Sequence, residues 1–358
     1  MSKFIIINPD RRPSGLSVRS QNWETLCKLK GLEFEIIKAS ISINFKVLFK
    51  NLKYLKFVLT GKMALEALLV DFGYIFNRLD EINDDEGILK ITVLTQRAFN
   101  PELLKLNVPV ILDYVDLLSI SYNQRSVIDR SHIKKFAYKV LAKQSKRFES
   151  YDEDNISYST NPTEAEKVSG RYFPILIKED LINSKNISGF KWEIIFMGSL
   201  DYPPNICAIR AISETIIPGI RKSLGEVSVC IAGRRPTKEV KSIIRLIDAE
   251  LVEDFIKPQD VLCFSKLATS PVYLASGFQN KILEAAVLKV PQIISDSSSA
   301  PFKEIDGIVI AKSDNEFIDK TVEFLGNFST YKQRAINISA QVTELFSPKK
   351  YLQILDEY

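Results

Sequence analysis

Short apolar runs alternate along this chain with amphipathic stretches, and the rhythm predicts its elements. Residues 4–7, 34–37, 91–94 and 108–112 form the first set of runs; 194–197, 227–231, 291–294 and 308–310 form the second. Each run has about the length of a buried parallel strand, and the stretches between carry apolar residues at helical spacing, so repeated βα units are expected. The fold class read from the pattern is α/β with mainly parallel sheets.

The rhythm breaks between residues 161 and 189, where Asn161-Pro162, a Glu/Lys mixture, Gly170, Pro174 and an Asn/Ser cluster ending at Gly189 follow one another. It restarts with Lys191-Trp-Glu-Ile-Ile-Phe-Met-Gly-Ser199, a strand running into a glycine turn, as the first strand of a doubly wound domain does. With 358 residues, more than one core usually organises, two domains are expected. The reading places an N-terminal Rossmann-like domain at 1–170, a connection at 171–189, a C-terminal Rossmann-like domain at 190–340, and a helix at 341–358 that packs back toward the first domain.

Composition narrows the class. The apolar fraction of 46% and charged fraction of 26% are those of a folded globular chain. Cys27, Cys207, Cys230 and Cys263 lie far apart, without zinc or dithiol spacing, and read as reduced core residues. With His132 as the single histidine, no transition-metal centre is expected, although counting leaves a carboxylate-bound magnesium open. The N-terminus shows no secretory pattern and no apolar run approaches the roughly twenty residues of a membrane span, so a cytoplasmic, non-integral protein is expected. A net charge of +4 without a nucleic-acid motif argues against nucleic acid as a partner.

Three strand-exit turns could carry chemistry: Gly198-Ser-Leu-Asp-Tyr-Pro-Pro-Asn205, Gly233-Arg-Arg-Pro236 and Ser276-Gly-Phe-Gln-Asn-Lys-Ile-Leu-Glu284. In doubly wound sheets ligands sit outside the carboxyl ends of strands, where glycine admits the backbone and helix N-termini offer free N–H groups to phosphate. After Gly277 the pattern turns helical, with Asn280 and Glu284 on one face, Ile282 and Ala286 on roughly the opposite face, and Lys281 in the first turn. A cation there could hold a pyrophosphate, and a carboxylate one turn later could accept hydrogen bonds from a ribose diol. Taken alone, Lys281 and Glu284 also fit an ordinary solvated pair, and two arginines after a strand also fit a decorated loop. Arginine's fork suits phosphate, which singles out Arg234 beside the glycine.

Read in order, these turns resemble the C-terminal half of retaining glycosyltransferases of family 4, which have the GT-B fold of two facing Rossmann-like domains around a donor/acceptor cleft. The subgroup resembled has Gly-Ser-x-Asp-Tyr-x-Pro-Asn, Gly-Arg-x-Pro and Ser-Gly-x-x-Asn-Lys-x-Leu-Glu-Ala in this order. Val110-Ile-Leu-Asp-Tyr-Val-Asp-Leu-Leu-Ser119 resembles that subgroup's Asp-x-x-Asp-x-x-Ser segment, and Ile156-Ser-Tyr-Ser159 its last N-terminal strand. The resemblance covers roughly residues 90 to 345 and is dense from 193 to 295.

The resemblance implies a glycosyltransferase, hexosyl-transferring and dependent on a nucleoside-diphosphate sugar as substrate, with no tightly bound cofactor and no required metal. Carried over by residue, Glu284 binds the donor ribose, and Lys281 and Arg234 bind the diphosphate and stabilise its departure. Ser276 and Gly277 face the donor sugar region, Asn280 supports that loop, and Phe278, Gln279, Gly198, Ser199, Asp201 and Gly233 complete the donor-binding set. Ser276 stands where many members have the first glutamate of a Glu-x7-Glu pair, and Ser199 where many have an arginine. On the acceptor side the glycine-rich loop is reduced to Pro13-Ser14-Gly15, leaving Ser14 and Gly15 as candidates. Retention of configuration is implied by the family alone; an inverting enzyme would want a base, for which Asp116 and His132 are the candidates.

Two basic stretches mark the first half. Lys46, Lys50, Lys53, Lys56 and Lys62 occur without an acid among aromatic and aliphatic residues, and 125–147, bounded by Arg125 and Arg147, has Asp129 as its only acid. Such segments can lie on an anionic leaflet, where a lipid-linked glycan acceptor is found, although solvated helix faces look the same. The expectation is peripheral association with the inner face of a bacterial membrane, in synthesis of a surface polysaccharide such as lipopolysaccharide or capsule; the lysine- and isoleucine-rich composition agrees with an AT-rich bacterial source. Two alternatives stay open: a nucleotide-sugar epimerase on the same architecture, and a non-catalytic glycan-binding subunit.

Overall fold

A computed structural model describes residues 3–9, 15–39, 41, 44–83, 89–106, 108–129, 131–150, 156–182, 189–253 and 255–356. The chain divides into two compact units. The first comprises residues 1–176, the tripeptide 276–278 and the tail 348–358; the second comprises 177–275 and 279–347.

The first unit is built on six parallel strands, β1 (Lys3–Asn8), β2 (Glu33–Lys38), β3 (Leu89–Leu94), β4 (Val110–Asp113), β5 (Ile156–Ser159) and β6 (Arg171–Tyr172), in the order β2-β1-β3-β4-β5-β6. The apolar runs of its central strands are continuous because both faces are covered. From β1, Ile5 and Ile7 enter one core with Val58, Met63, Phe72 and Ile75, while Phe4 and Ile6 enter another with Trp23, Leu26 and Cys27 of the helix Gly15–Lys30. Each such fully buried side chain contributes about 1.5–3 kcal/mol. β6 lies beyond the strand that the resemblance makes the last of the sheet.

The second unit repeats the plan with β7 (Trp192–Met197), β8 (Val229–Ala232), β9 (Glu250–Val252), β10 (Ser265–Ser270), β11 (Gln292–Ser295) and β12 (Val309–Ala311), all parallel, in the order β12-β11-β10-β7-β8-β9. Succession runs from β7 outward through β8 to β9, then restarts on the other side of β7 with β10, β11 and β12. The switch point, where a doubly wound sheet opens a crevice at its carboxyl edge, is therefore between β7 and β10. One core packs Ile194 and Phe196 against Ile209, Ile212, Ile216, Val240 and Ile244. Elsewhere in this unit the helix Asn280–Val287 lies on Phe328–Leu345, and the Ser339 hydroxyl donates to the Val287 carbonyl at 3.0 Å.

The C-terminus differs from the single helix expected at 341–358. The helix Phe328–Leu345 ends in the second unit, and a separate 3-10 segment, Pro348–Leu355, belongs to the first. There Ile354 and Leu355 join the core around Trp23, and Lys90 donates to the Leu355 carbonyl at 3.2 Å. Among the described residues no helix is long and apolar enough to cross a membrane.

Candidate functional site

β7, β8 and β10 are neighbours and parallel, so the three turns singled out in the sequence leave the sheet at one edge. Gly198 extends the ladder by donating to the Ala232 carbonyl at 3.0 Å, and Gly233 donates to that of Val252 at 2.9 Å. The two glycines touch: a Cβ on Gly233 would lie 1.8 Å from the Gly198 carbonyl oxygen, and one on Gly198 would lie 2.7 Å from Asn205 Nδ2. No larger residue fits at Gly233, and one at Gly198 would displace the Asn205 amide. In the same turn Arg235 holds a left-handed backbone, φ 58°, and its guanidinium pairs with Asp201 at 3.1 Å. Arg234 is exposed.

Asn205 ties these turns to the third. Its Nδ2 donates to the Ser199 carbonyl at 2.9 Å, and its Oδ1 accepts from Lys281 Nζ at 2.9 Å. The same ammonium stands 4.3 Å from the centre of the Phe196 ring, at the end of β7, a cation–π contact. Lys281 thus sits at the switch point, held by an amide and an aromatic face rather than by a carboxylate. Loss of hydration lowers its pKa to about 7, against which the charge of Glu284 acts. Glu284, one turn on, is pushed up to about 7 by the same loss of hydration, opposed by Lys178 and Lys281. Ile282 and Ala286 are buried, as the helical spacing predicts.

The tripeptide 276–278 is held within the first unit. Gly277 has φ 63°, and a Cβ there would stand 3.0 Å from the Val115 carbonyl oxygen and 3.1 Å from Asp116 Cβ. Its N–H donates to Glu164 Oε1 at 2.7 Å and its carbonyl accepts from Asn161 Nδ2 at 3.0 Å. Glu164 Oε2 accepts the Leu117 N–H at 2.9 Å. Burial raises Glu164 to about 7 although both N–H bonds act the other way. Beside it, Asp116 is also raised by loss of hydration, with Arg97 and Arg125 opposing. Val115 has φ 40°, a strained value for a β-branched residue.

The two aspartates of the Asp-x-x-Asp-x-x-Ser segment have separate tasks. Asp113 is buried; its Oδ2 accepts from Arg19 Nε at 2.6 Å and from Trp23 Nε1 at 2.7 Å. Arg19 in turn lies 3.8 Å from the centre of the Phe173 ring and donates to the Pro174 carbonyl. Asp113 is therefore a framework residue, and Asp116 is the one placed against Gly277. Ser119 is fixed by Glu149, which accepts both its N–H and its hydroxyl.

His132 opens the Ser131-capped helix His132–Glu149 and is exposed. Ser14 lies outside the described residues; Gly15 begins the helix Gly15–Lys30. Asn205, Asn161 and Glu164 are the structural partners that sequence reasoning did not assign to the site. Asn205 stands inside the first glycine-turn motif and could have been found there; Asn161 reads only as the start of the break in rhythm, and Glu164 gave no local signal. A cavity of about 600 Å³, lined by Lys191, Trp192, Arg221 and Glu250 among others, opens at the opposite, amino-terminal ends of β7 to β9 and contains none of the expected site residues.

In chemical terms the second unit offers glycine turns, an arginine, a partly desolvated ammonium and a helix N-terminus at one sheet edge, a set suited to an anion such as a diphosphate. Among the described residues no group of three His, Cys, Asp or Glu side chains is arranged to hold a metal ion.

Known proteins resemble this chain in sequence over part of its second unit and in fold over its whole length. The family described as "Glycosyl transferases group 1" matches residues 191–327. No curated relative matches the chain in sequence. Among solved structures, sucrose-phosphate synthase from Thermosynechococcus elongatus is similar with a TM-score of 0.68 at 12% identity, over 100% of this chain and 98% of that one. TarM gives 0.67 at 11%, over 100% and 98%. Anabaena HepE in complex with UDP and glucose gives 0.61 at 11%, over 100% and 99%. The chain therefore has the GT-B fold, and its residues 191–327 match the glycosyl transferases group 1 family.

Proposed function

We propose that the protein transfers a hexosyl group from a nucleoside-diphosphate sugar to a glycan or lipid-linked glycan, with retention of configuration, at the cytoplasmic face of a bacterial membrane during synthesis of a surface polysaccharide. The observation that carries the reading is Lys281, held by Asn205 and the Phe196 ring at the switch point between β7 and β10. In this scheme the sugar–phosphate bond breaks as the diphosphate leaves. Lys281, Arg234 and the N-terminus of Asn280–Val287 take up the developing negative charge. Glu284 accepts hydrogen bonds from the ribose diol. The residues around Gly277 border the sugar, and Asp116 stands beside that loop. No covalent nucleophile is needed.

The test is a thermal-shift panel of nucleoside diphosphates and their sugars on wild type and Glu284→Ala. UDP compounds come first because HepE is described with UDP and glucose, and an E. coli trehalose-6-phosphate protein with UDP-2-fluoro glucose. A ligand at a hundred times its Kd adds about 2.7 kcal/mol of stability. One nucleotide is expected to raise the melting temperature of wild type and not of the variant. No shift with any nucleotide would overturn the reading in favour of a non-catalytic glycan-binding subunit, and conversion of the donor without acceptor would favour an epimerase.

A further inference from the structure

In the first unit the segment from Phe45 to Leu59 is amphipathic in an unusual sense. One side is buried: Asn51 donates to the carbonyls of Leu68 and Val70, and Tyr54 and Val58 enter the core. The other side is also apolar but faces water. Phe45, Phe49 and Leu59 are 71%, 70% and 70% exposed, and Leu52 and Leu55, also exposed, continue their stripe at helical spacing. Each of the first four apolar residues of the stripe is followed directly by a lysine: Lys46, Lys50, Lys53 and Lys56.

The helix His132–Glu149 shows the same arrangement. Ile133 and Phe136 are 83% and 70% exposed, and Val140 extends their stripe. Lys134, Lys139 and Lys143 stand beside them, all exposed. Its one acid, Glu149, is turned inward onto Ser119. The two stripes adjoin. Gln144, next on the face carrying Val140, donates to the Met63 carbonyl at 2.7 Å and accepts the Leu65 N–H, and a Cβ on Gly61 would stand 3.2 Å from Arg147 Cβ. Leu59 is two residues from that junction.

We infer that this face of the first unit docks on an anionic lipid bilayer, its phenylalanines and leucines entering the boundary between headgroups and acyl chains and its lysines lying against lipid phosphates. Exposed apolar groups in this number mark an interaction surface, and the lysines select its partner. A second copy of the chain is disfavoured, because a twofold contact would set lysine against lysine. The surface deepens the lipid-linked acceptor reading by naming how that acceptor is approached, but its test does not depend on catalysis.

The full chain is floated with vesicles of phosphatidylcholine alone and with vesicles that also contain phosphatidylglycerol, at low and high salt. Compared are the wild type, a Phe49→Ser/Phe136→Ser variant and a Lys50→Glu/Lys53→Glu variant, all at exposed positions. Wild type is expected to float with the anionic vesicles at low salt and to be released by high salt. Each variant is expected to bind at least about tenfold more weakly, since one cation near the surface is worth roughly fivefold. An unchanged nucleotide-induced thermal shift shows that a variant is folded and separates this result from the donor-site reading. Absence of wild-type flotation, equal binding of the variants, or a concentration-dependent dimer that both variants abolish while vesicles have no effect would each overturn the inference.

Discussion

Lys281 and Glu284 give the candidate site a pH signature. The folded chain holds the Glu284 proton up to about 7, whereas an unfolded carboxyl releases it near 4.5, so between those values stability falls as pH rises. The folded chain sheds the Lys281 proton from about 7, whereas the unfolded chain keeps it to 10.5, so over that window stability rises with pH. The pair's contribution is therefore lowest near pH 7. A melting profile of the ligand-free protein should show a dip there that Lys281→Met/Glu284→Gln removes; a variant profile parallel to wild type would show that these groups do not titrate as stated. Glu164 is a second single-residue test. Glu164→Ala leaves the Gly277 and Leu117 N–H groups without an acceptor and is expected to lower stability by about 1–3 kcal/mol in a denaturant titration.

At the scale of elements, the turn after β8 is the most constrained. Gly233→Ala has no room beside the Gly198 carbonyl, and overpacking of this kind costs roughly 1–3 kcal/mol. Loss of nucleotide binding is expected with it, read by the same thermal shift; a variant of wild-type stability that still binds would contradict the placement of the two turns. Strands such as β1, β7 and β8 could be read from the sequence because both of their faces are apolar. β10 could not: Ser265-Lys-Leu-Ala-Thr-Ser270 buries Ser265, Thr269 and Ser270, and a strand carrying hydroxyls in its core lacks the apolar run. β9 and β6, of three and two residues, are too short to show a pattern. The glycine turns were legible because glycine at a strand exit has few other uses. The anchoring of Gly277 by Glu164, 113 residues away, was not, since nothing local distinguishes that glutamate.

For the whole molecule, two sheets with separate cores imply more than one unfolding unit. A nucleotide bound at the ends of β7, β8 and β10 should raise the transition of the second unit and leave that of the first in place, as calorimetry would show. The tail makes a complementary prediction. Removal of residues 348–358 withdraws Ile354 and Leu355 from the core around Trp23, and at about 1.5–3 kcal/mol for each side chain the first unit should lose roughly 3–6 kcal/mol. An unaltered first transition would show that the segment Pro348–Leu355 is dispensable. The central claim, that Lys281 receives the donor diphosphate, is reached most directly by calorimetric titration of the preferred nucleotide above pH 7 in two buffers of different ionisation enthalpy. A diphosphate beside an ammonium whose pKa is about 7 restores its proton, so wild type should take up roughly one proton on binding and Lys281→Met none, with weaker affinity. Tight binding without proton uptake, unchanged in Lys281→Met, would contradict it.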